Sequence, residues 1–128
     1  MILLDTCGLL ALQNGGKVLS QTARSRLEAP GSEIFISAVC AFEIGQKHVA
    51  GKLILKQAPD IWFPAMLEHH QLTELPVSSS ICTAATALPP LHKDPFDRII
   101  IATALEKQLT ILTSDTIIPT YPGVRTFW

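Results

Sequence analysis

Ile2-Leu3-Leu4 is an unbroken apolar run cut off by an acid, Asp5. A run so short and so apolar reads as a strand buried on both faces, the pattern of a parallel sheet rather than a half-exposed one. Glu33-Ile34-Phe35-Ile36 and Thr110-Ile111-Leu112-Thr113 read as strands too, with Leu72-Thr73-Glu74-Leu75 weaker and Val124-Arg125-Thr126-Phe127 after the turn at Pro122-Gly123. Parallel neighbours need long crossovers, normally helices. Helical segments fill the gaps: Gly8 to Leu12, a helix capped by Ser20 up to about Ala29, Ala38 to about Ala50, Pro59 to His70, Ser78 through Ala87, and Pro95 to about Lys107. Strands alternating with helices give an α/β fold, with a central, mostly parallel sheet of about five strands.

The composition agrees with one core. A chain of 128 residues fits a single domain, 1–128. Hydrophobic residues make up 48% and charged ones 16%, which excludes a disordered tail. The formal net charge of −1 provides no global basic field, so a polyanion must be met by local charge or by a metal. Cys7, Cys40 and Cys82 are far apart and odd in number, so they give neither a disulfide framework nor a Cys-x-x-Cys pair. Each is expected as a small core residue, in a reducing cytoplasm. Ile99–Leu105 is too short to span a membrane, and Met1–Leu4 has no basic lead, so neither an anchor nor a signal peptide is expected.

The stretch Asp94-Pro95-Phe96-Asp97-Arg98 opens a helix that reads as buried, with the apolar run Ile99–Leu105 following it. Proline suits the first helical position, where its missing N–H is not needed. Asp94 and Asp97 lie three residues apart, on neighbouring parts of the helix surface. They can serve as an N-cap and an acidic first-turn residue, or as ligands. Arg98 can pair with Asp94 at i+4.

Other acids fall at the same edge of the sheet. Asp5 follows the first strand and Asp115 the fourth, and Glu43 sits in the helix after the second. Ligands of open parallel sheets bind beyond the carboxyl ends of the strands, at the switch in strand order. Each acid has an ordinary alternative: Asp5 as a cap, Glu43 paired with Lys47, Asp115 in a turn. Four or five carboxylates in one cleft repel, so either protons or a divalent cation must hold them. Oxygen donors without histidine or cysteine suit Mg²⁺ or Mn²⁺ rather than Zn²⁺. Such ions, singly or as a pair, activate water and stabilise the charge of an attacked phosphodiester.

Nearly the whole chain resembles the PIN-domain ribonucleases, specifically the VapC-type toxins of bacterial toxin–antitoxin pairs. The matching pieces are Leu3-Leu4-Asp5-Thr6, Phe42-Glu43-Ile44 with Lys47 and Gly51-Lys52-Leu53, His92-Lys93-Asp94-Pro95-Phe96-Asp97-Arg98 with Ile101-Ala102, and Leu112-Thr113-Ser114-Asp115, with Gly123-Val124 and Trp128 closing the series. The resemblance implies a three-layer α/β/α domain and metal-dependent RNA cleavage. Its acidic quartet would be Asp5, Glu43, Asp97 and Asp115, with Glu43 holding the ion or orienting water and Asp94 accessory. Cys7-Gly8 departs from the histidine and alanine of many relatives, and Phe42 from their tryptophan, but neither removes a carboxylate. The partners it implies are RNA and an antitoxin protein.

Thr6 and Ser114 can hydrogen-bond a carboxylate or cap a helix. Lys47, Lys52, His92 and Lys93 are the nearest candidates for phosphate contacts. His69-His70 has no acidic or cysteine partner at ligand spacing. Val39, Phe42 and Val49 are core candidates. Trp62, Phe63 and Met66 are either core or an exposed patch for a second copy or an antitoxin. Two other readings fit part of the pattern. A receiver-like Mg²⁺-binding signalling domain needs an adjacent acidic pair after the first strand, where only Asp5 stands. A catalytically inactive PIN-fold binding module would keep all four acids.

Overall fold

The computed structural model describes residues 1–128. Its strands are β1 (Ile2–Leu4), β2 (Ile34–Ser37), β3 (Thr73–Leu75), β4 (Thr110–Leu112) and β5 (Arg125–Phe127). They form one sheet in the order β3-β2-β1-β4-β5, and every neighbouring pair is parallel. β1 is central, with Leu4 aligned between Ile36 and Leu112. All of β1 is buried, as a strand covered on both faces must be. The helices are α1 (Thr6–Gln13), α2 (Gln21–Glu28), α3 (Val39–Val49), α4 (Pro59–His69), α5 (Ser79–Ala87) and α6 (Pro95–Lys107). With right-handed crossovers, this strand order sends α1–α4 to one face and α5 and α6 to the other.

The expected serine signals work as helix starts. Ser20 Oγ accepts the Ala23 N–H at 3.1 Å and Ser78 Oγ the Ile81 N–H at 3.2 Å. Ser37 Oγ accepts the Val39 N–H at 3.2 Å and opens α3. Gly51, at φ 74°, supplies the left-handed turn that ends α3. No helix is long and apolar enough to cross a membrane.

The structure corrects three packing expectations. Trp62, Phe63 and Met66 are core, only 5%, 5% and 8% exposed, so they are no docking patch. Phe42 and Val49 are not core: they are 61% and 87% exposed. Seven residues apart, they share the outer face of α3, whose inner face carries Val39, Cys40, Glu43 and Ile44. Cys40 is buried, and burial pushes its thiol up to about 12. Cys7 and Cys82, however, are exposed, because their helices turn other residues inward.

Candidate functional site

Asp5 follows β1 directly and caps α1. Its Oδ1 accepts the Gly8 N–H at 2.6 Å, and its Oδ2 accepts the Thr113 hydroxyl. Glycine at position 8 lets this turn lie against β4, since a Cβ there would stand 2.9 Å from the Leu112 carbonyl oxygen. Asp5 is buried. Burial raises its pKa from 3.8 to about 6, against the two hydrogen bonds and helped by the charges of Glu43 and Asp115.

Glu43 reaches back from α3. Its Oε1 accepts the Thr6 hydroxyl at 2.8 Å, and its Oε2 lies 3.1 Å from Lys47 Nζ. Partial burial works to lower Lys47, but the hydrogen bond and charge of Glu43 outweigh it and hold the ammonium above its usual range.

Asp94 caps α6 by accepting the Phe96 N–H at 2.9 Å, with Pro95 in the first turn as expected. Asp97, one turn on, points into the cleft. Burial, then repulsion from Asp94, raises it to about 7, while His92 works the other way.

Asp115 lies beyond β4. Its Oδ1 accepts the N–H groups of Ile117 and Ile118 at 2.7 and 2.9 Å, and its Oδ2 lies 3.0 Å from His92 Nε2. Burial would raise Asp115, but the His92 hydrogen bond and the two backbone bonds outweigh it and hold the acid below the ordinary carboxylate range.

All five acids line one cleft of about 210 Å³, together with Thr6, Cys7, Lys47 and Ser114. The cleft sits where the chain order switches direction, between β1 and β4. Two side chains at its wall escaped the sequence reading. Thr113 donates to Asp5 and accepts the Asp115 N–H at 3.0 Å, so one hydroxyl ties the two acids together. His92 was expected as a surface phosphate contact, but it is buried and faces Asp97 and Asp115. Its position two residues before Asp94 was the one available signal, and spacing alone could not show which way the ring turns.

Arg98 does not pair with Asp94. Its guanidinium donates to the carbonyls of Ala85 at 2.8 Å and Leu88 at 2.9 Å, and to those of Pro89 and His92. The last carbonyls of α5 have no partners within the helix, and a planar five-donor fork satisfies several at once. His69 and His70 line hollows elsewhere, away from the acids.

The donor set fits a hard divalent cation. Five carboxylates line the cleft with one ammonium, His92 stands against Asp97 and Asp115, and two of the acids, Asp5 and Asp97, are pushed toward protonation, chiefly by burial. One ligand atom each from His92, Asp97 and Asp115 lies within 4.8 Å of the others.

A family model described as PIN domain matches residues 2–124. A search of curated protein sequences gives no match. Among solved structures, VapBC2 from Rickettsia felis bound to a promoter DNA fragment is similar, with a TM-score of 0.72 at 19% identity over 98% of this chain and 97% of that one. A toxin–antitoxin complex from Klebsiella pneumoniae has a TM-score of 0.65 at 24% identity, covering 97% and 95%. DNA-bound VapBC from Salmonella typhimurium has a TM-score of 0.68 at 19% identity, covering 98% and 95%. At these identities, the likenesses speak for the fold.

Proposed function

The chain belongs to the PIN-domain family, and from that premise we propose that it is a metal-dependent endoribonuclease, the toxin of a toxin–antitoxin pair acting in the cytoplasm. The observation that carries the proposal is the gathering of Asp5, Glu43, Asp97 and Asp115 in one cleft at the sheet's switch point. Residues 1–128 act as one catalytic unit.

In this reading, Asp5, Asp97 and Asp115 hold one or two Mg²⁺ or Mn²⁺ ions, with Glu43 as ligand or water-orienting base. When bound, the metal supplies positive charge to the phosphodiester oxygens and makes water a better nucleophile at neutral pH. The chain prepares that chemistry by fixing its acids. Asp5 has both oxygens engaged and cannot swing. Asp97 is the freest, engaged through Oδ2 alone. Glu43 Oε1 is steadied by Thr6, and Lys47 beside it offers a cation at the mouth of the cleft. Lys52 and Lys93 are exposed and free to meet flanking phosphates. A single strand can bend across so shallow a site, whereas a duplex cannot. Purified protein should therefore cut single-stranded RNA in Mg²⁺ or Mn²⁺, spare a duplex, and do nothing in EDTA. Equal cleavage in EDTA would defeat the proposal.

The protein partner, an antitoxin, is assigned to the outer side of α3. A groove of about 720 Å³ there is lined by Phe42, Val49 and Pro59 with Lys47, His48 and Lys52. An acidic segment carrying apolar side chains complements both its charge and its exposed surface. Val49→Asp should abolish co-purification with a co-expressed cognate antitoxin and leave RNA cleavage intact. An intact complex would remove the groove as the docking site. A light-scattering mass of two chains that Val49→Asp reduces to one would give the groove to a homodimer instead.

A further inference from the structure

His92 stands between two of the proposed ligands. Its Nε2 is 3.0 Å from Asp115 Oδ2 and 3.2 Å from Asp97 Oδ2. Distance alone suits a third metal ligand, since the three donor atoms lie within 4.8 Å. The other ring nitrogen decides against that role. The Asp94 N–H donates to Nδ1 at 3.2 Å. A backbone N–H can only donate, so Nδ1 keeps its lone pair and the ring proton sits on Nε2. That Nε2–H is hydrogen-bonded to Asp115 Oδ2, and Asp97 Oδ2 stands 3.2 Å from the same nitrogen. A histidine ligand must present a lone pair to the metal. To do so here, the proton would have to move to Nδ1, setting two N–H groups against each other and orphaning that of Asp94.

The backbone beneath the ring is fixed as well. The His92 N–H donates to the Tyr121 hydroxyl at 2.8 Å, and Arg98 Nη1 donates to the His92 carbonyl at 3.2 Å. The Tyr121 hydroxyl donates in turn to the Pro89 carbonyl at 2.8 Å. The ring therefore has little room to turn over.

We propose that His92 is a positioning residue: a fixed Nε2–H donor that gathers Oδ2 of Asp97 and Asp115 and leaves the remaining lone pairs of both acids to the ion. This rests on the metal-site reading above. It also gives Arg98 and Tyr121 a place in the same arrangement, as the groups that hold the His92 backbone.

A long-range ¹H–¹⁵N spectrum of the histidine rings, without metal and with saturating Mg²⁺, reads the tautomer directly. The expected result is a protonated Nε2 and an unprotonated Nδ1 for His92 in both. An Nδ1–H tautomer in Mg²⁺ would make His92 a ligand and overturn the proposal. If Mg²⁺ leaves the backbone signals of Asp97 and Asp115 unmoved, the metal reading has failed and this inference falls with it. Calorimetric titration of Mn²⁺ gives a second test on folded variants. His92→Leu should weaken binding by about 10- to 100-fold, the usual cost of losing a group that orients ligands, and His92→Gln, which keeps an N–H donor, should recover most of it. Wild-type affinity in His92→Leu, with wild-type binding intact, would overturn the positioning role alone.

Discussion

Asp97→Asn is expected to cut RNA cleavage by at least about 10²-fold, the scale on which a charge-stabilising group is lost, while raising the melting temperature of the metal-free protein. Activity and stability should move in opposite directions because the carboxylate is costly to the fold. It sits in the first turn of α6 within reach of Asp94, and burial and that neighbour raise its pKa to about 7. Asparagine keeps the shape and removes the charge. It still offers an oxygen to His92 Nε2, so the fold should survive. Asp94→Asn should be far milder, since asparagine is an equally good N-cap for the bond to Phe96. Cleavage rates and melting curves of the two variants check this together. If Asp94→Asn is inactive while Asp97→Asn still cleaves, the roles of the two acids are reversed.

The metal-free protein should also lose stability as pH rises from about 4 to about 7. Below its ordinary value of 3.8, Asp5 is protonated in the folded and unfolded states alike and contributes no difference. Between 3.8 and about 6, the unfolded chain gives up the proton and the folded one keeps it, so each step in pH favours unfolding. At about 1.4 kcal/mol per pH unit, the gap amounts to about 3 kcal/mol, a fall in melting temperature on the order of 10 °C. Asp97 extends the window to about 7 with the same sign. Asp115 has the opposite sign: its pKa is depressed, so its contribution is present above the carboxylate range and lost as acid protonates it. Melting in EDTA across pH 4 to 8 should therefore fall through the middle of the range, and Asp5→Asn and Asp97→Asn should each flatten part of the fall. A wild-type curve that rises over that interval would show that burial does not hold Asp5 and Asp97 above the ordinary carboxylate range.

Much of the fold was legible because its signals are local. Ile2-Leu3-Leu4 ending at Asp5 could be little other than a buried parallel strand, serines 20 and 78 cap the helices that follow them, and Ser37 takes the first N–H of α3. The ordinary alternatives for the acids turned out to be true as well. Asp5 and Asp94 are caps, Glu43 does pair with Lys47, and Asp115 does hold a turn. Caps and turns at the carboxyl ends of the strands are how this chain aims its acids. What stayed hidden depends on three-dimensional neighbours. Phe42 and Val49 look like core from hydrophobicity alone, yet Glu43 and Cys40 occupy the inward side of their helix. Trp62, Phe63 and Met66 were ambiguous until the packing of α4 was known. His92 turns inward because the hydroxyl of Tyr121, twenty-nine positions on, takes its N–H, and Arg98 is drawn away by carbonyls of α5. No spacing rule over the chain predicts such contacts.

The clustered acids, as proposed, await a divalent cation. Thermal melting at pH 7 in EDTA, set against the same protein in millimolar Mn²⁺, tests this most directly. An ion that binds only the folded state stabilises it by mass action, by about 3 kcal/mol at a hundredfold excess over its dissociation constant. A clear rise in melting temperature with Mn²⁺ is expected, and Asp97→Asn should weaken it. Superimposable curves in EDTA and Mn²⁺ would contradict the metal reading.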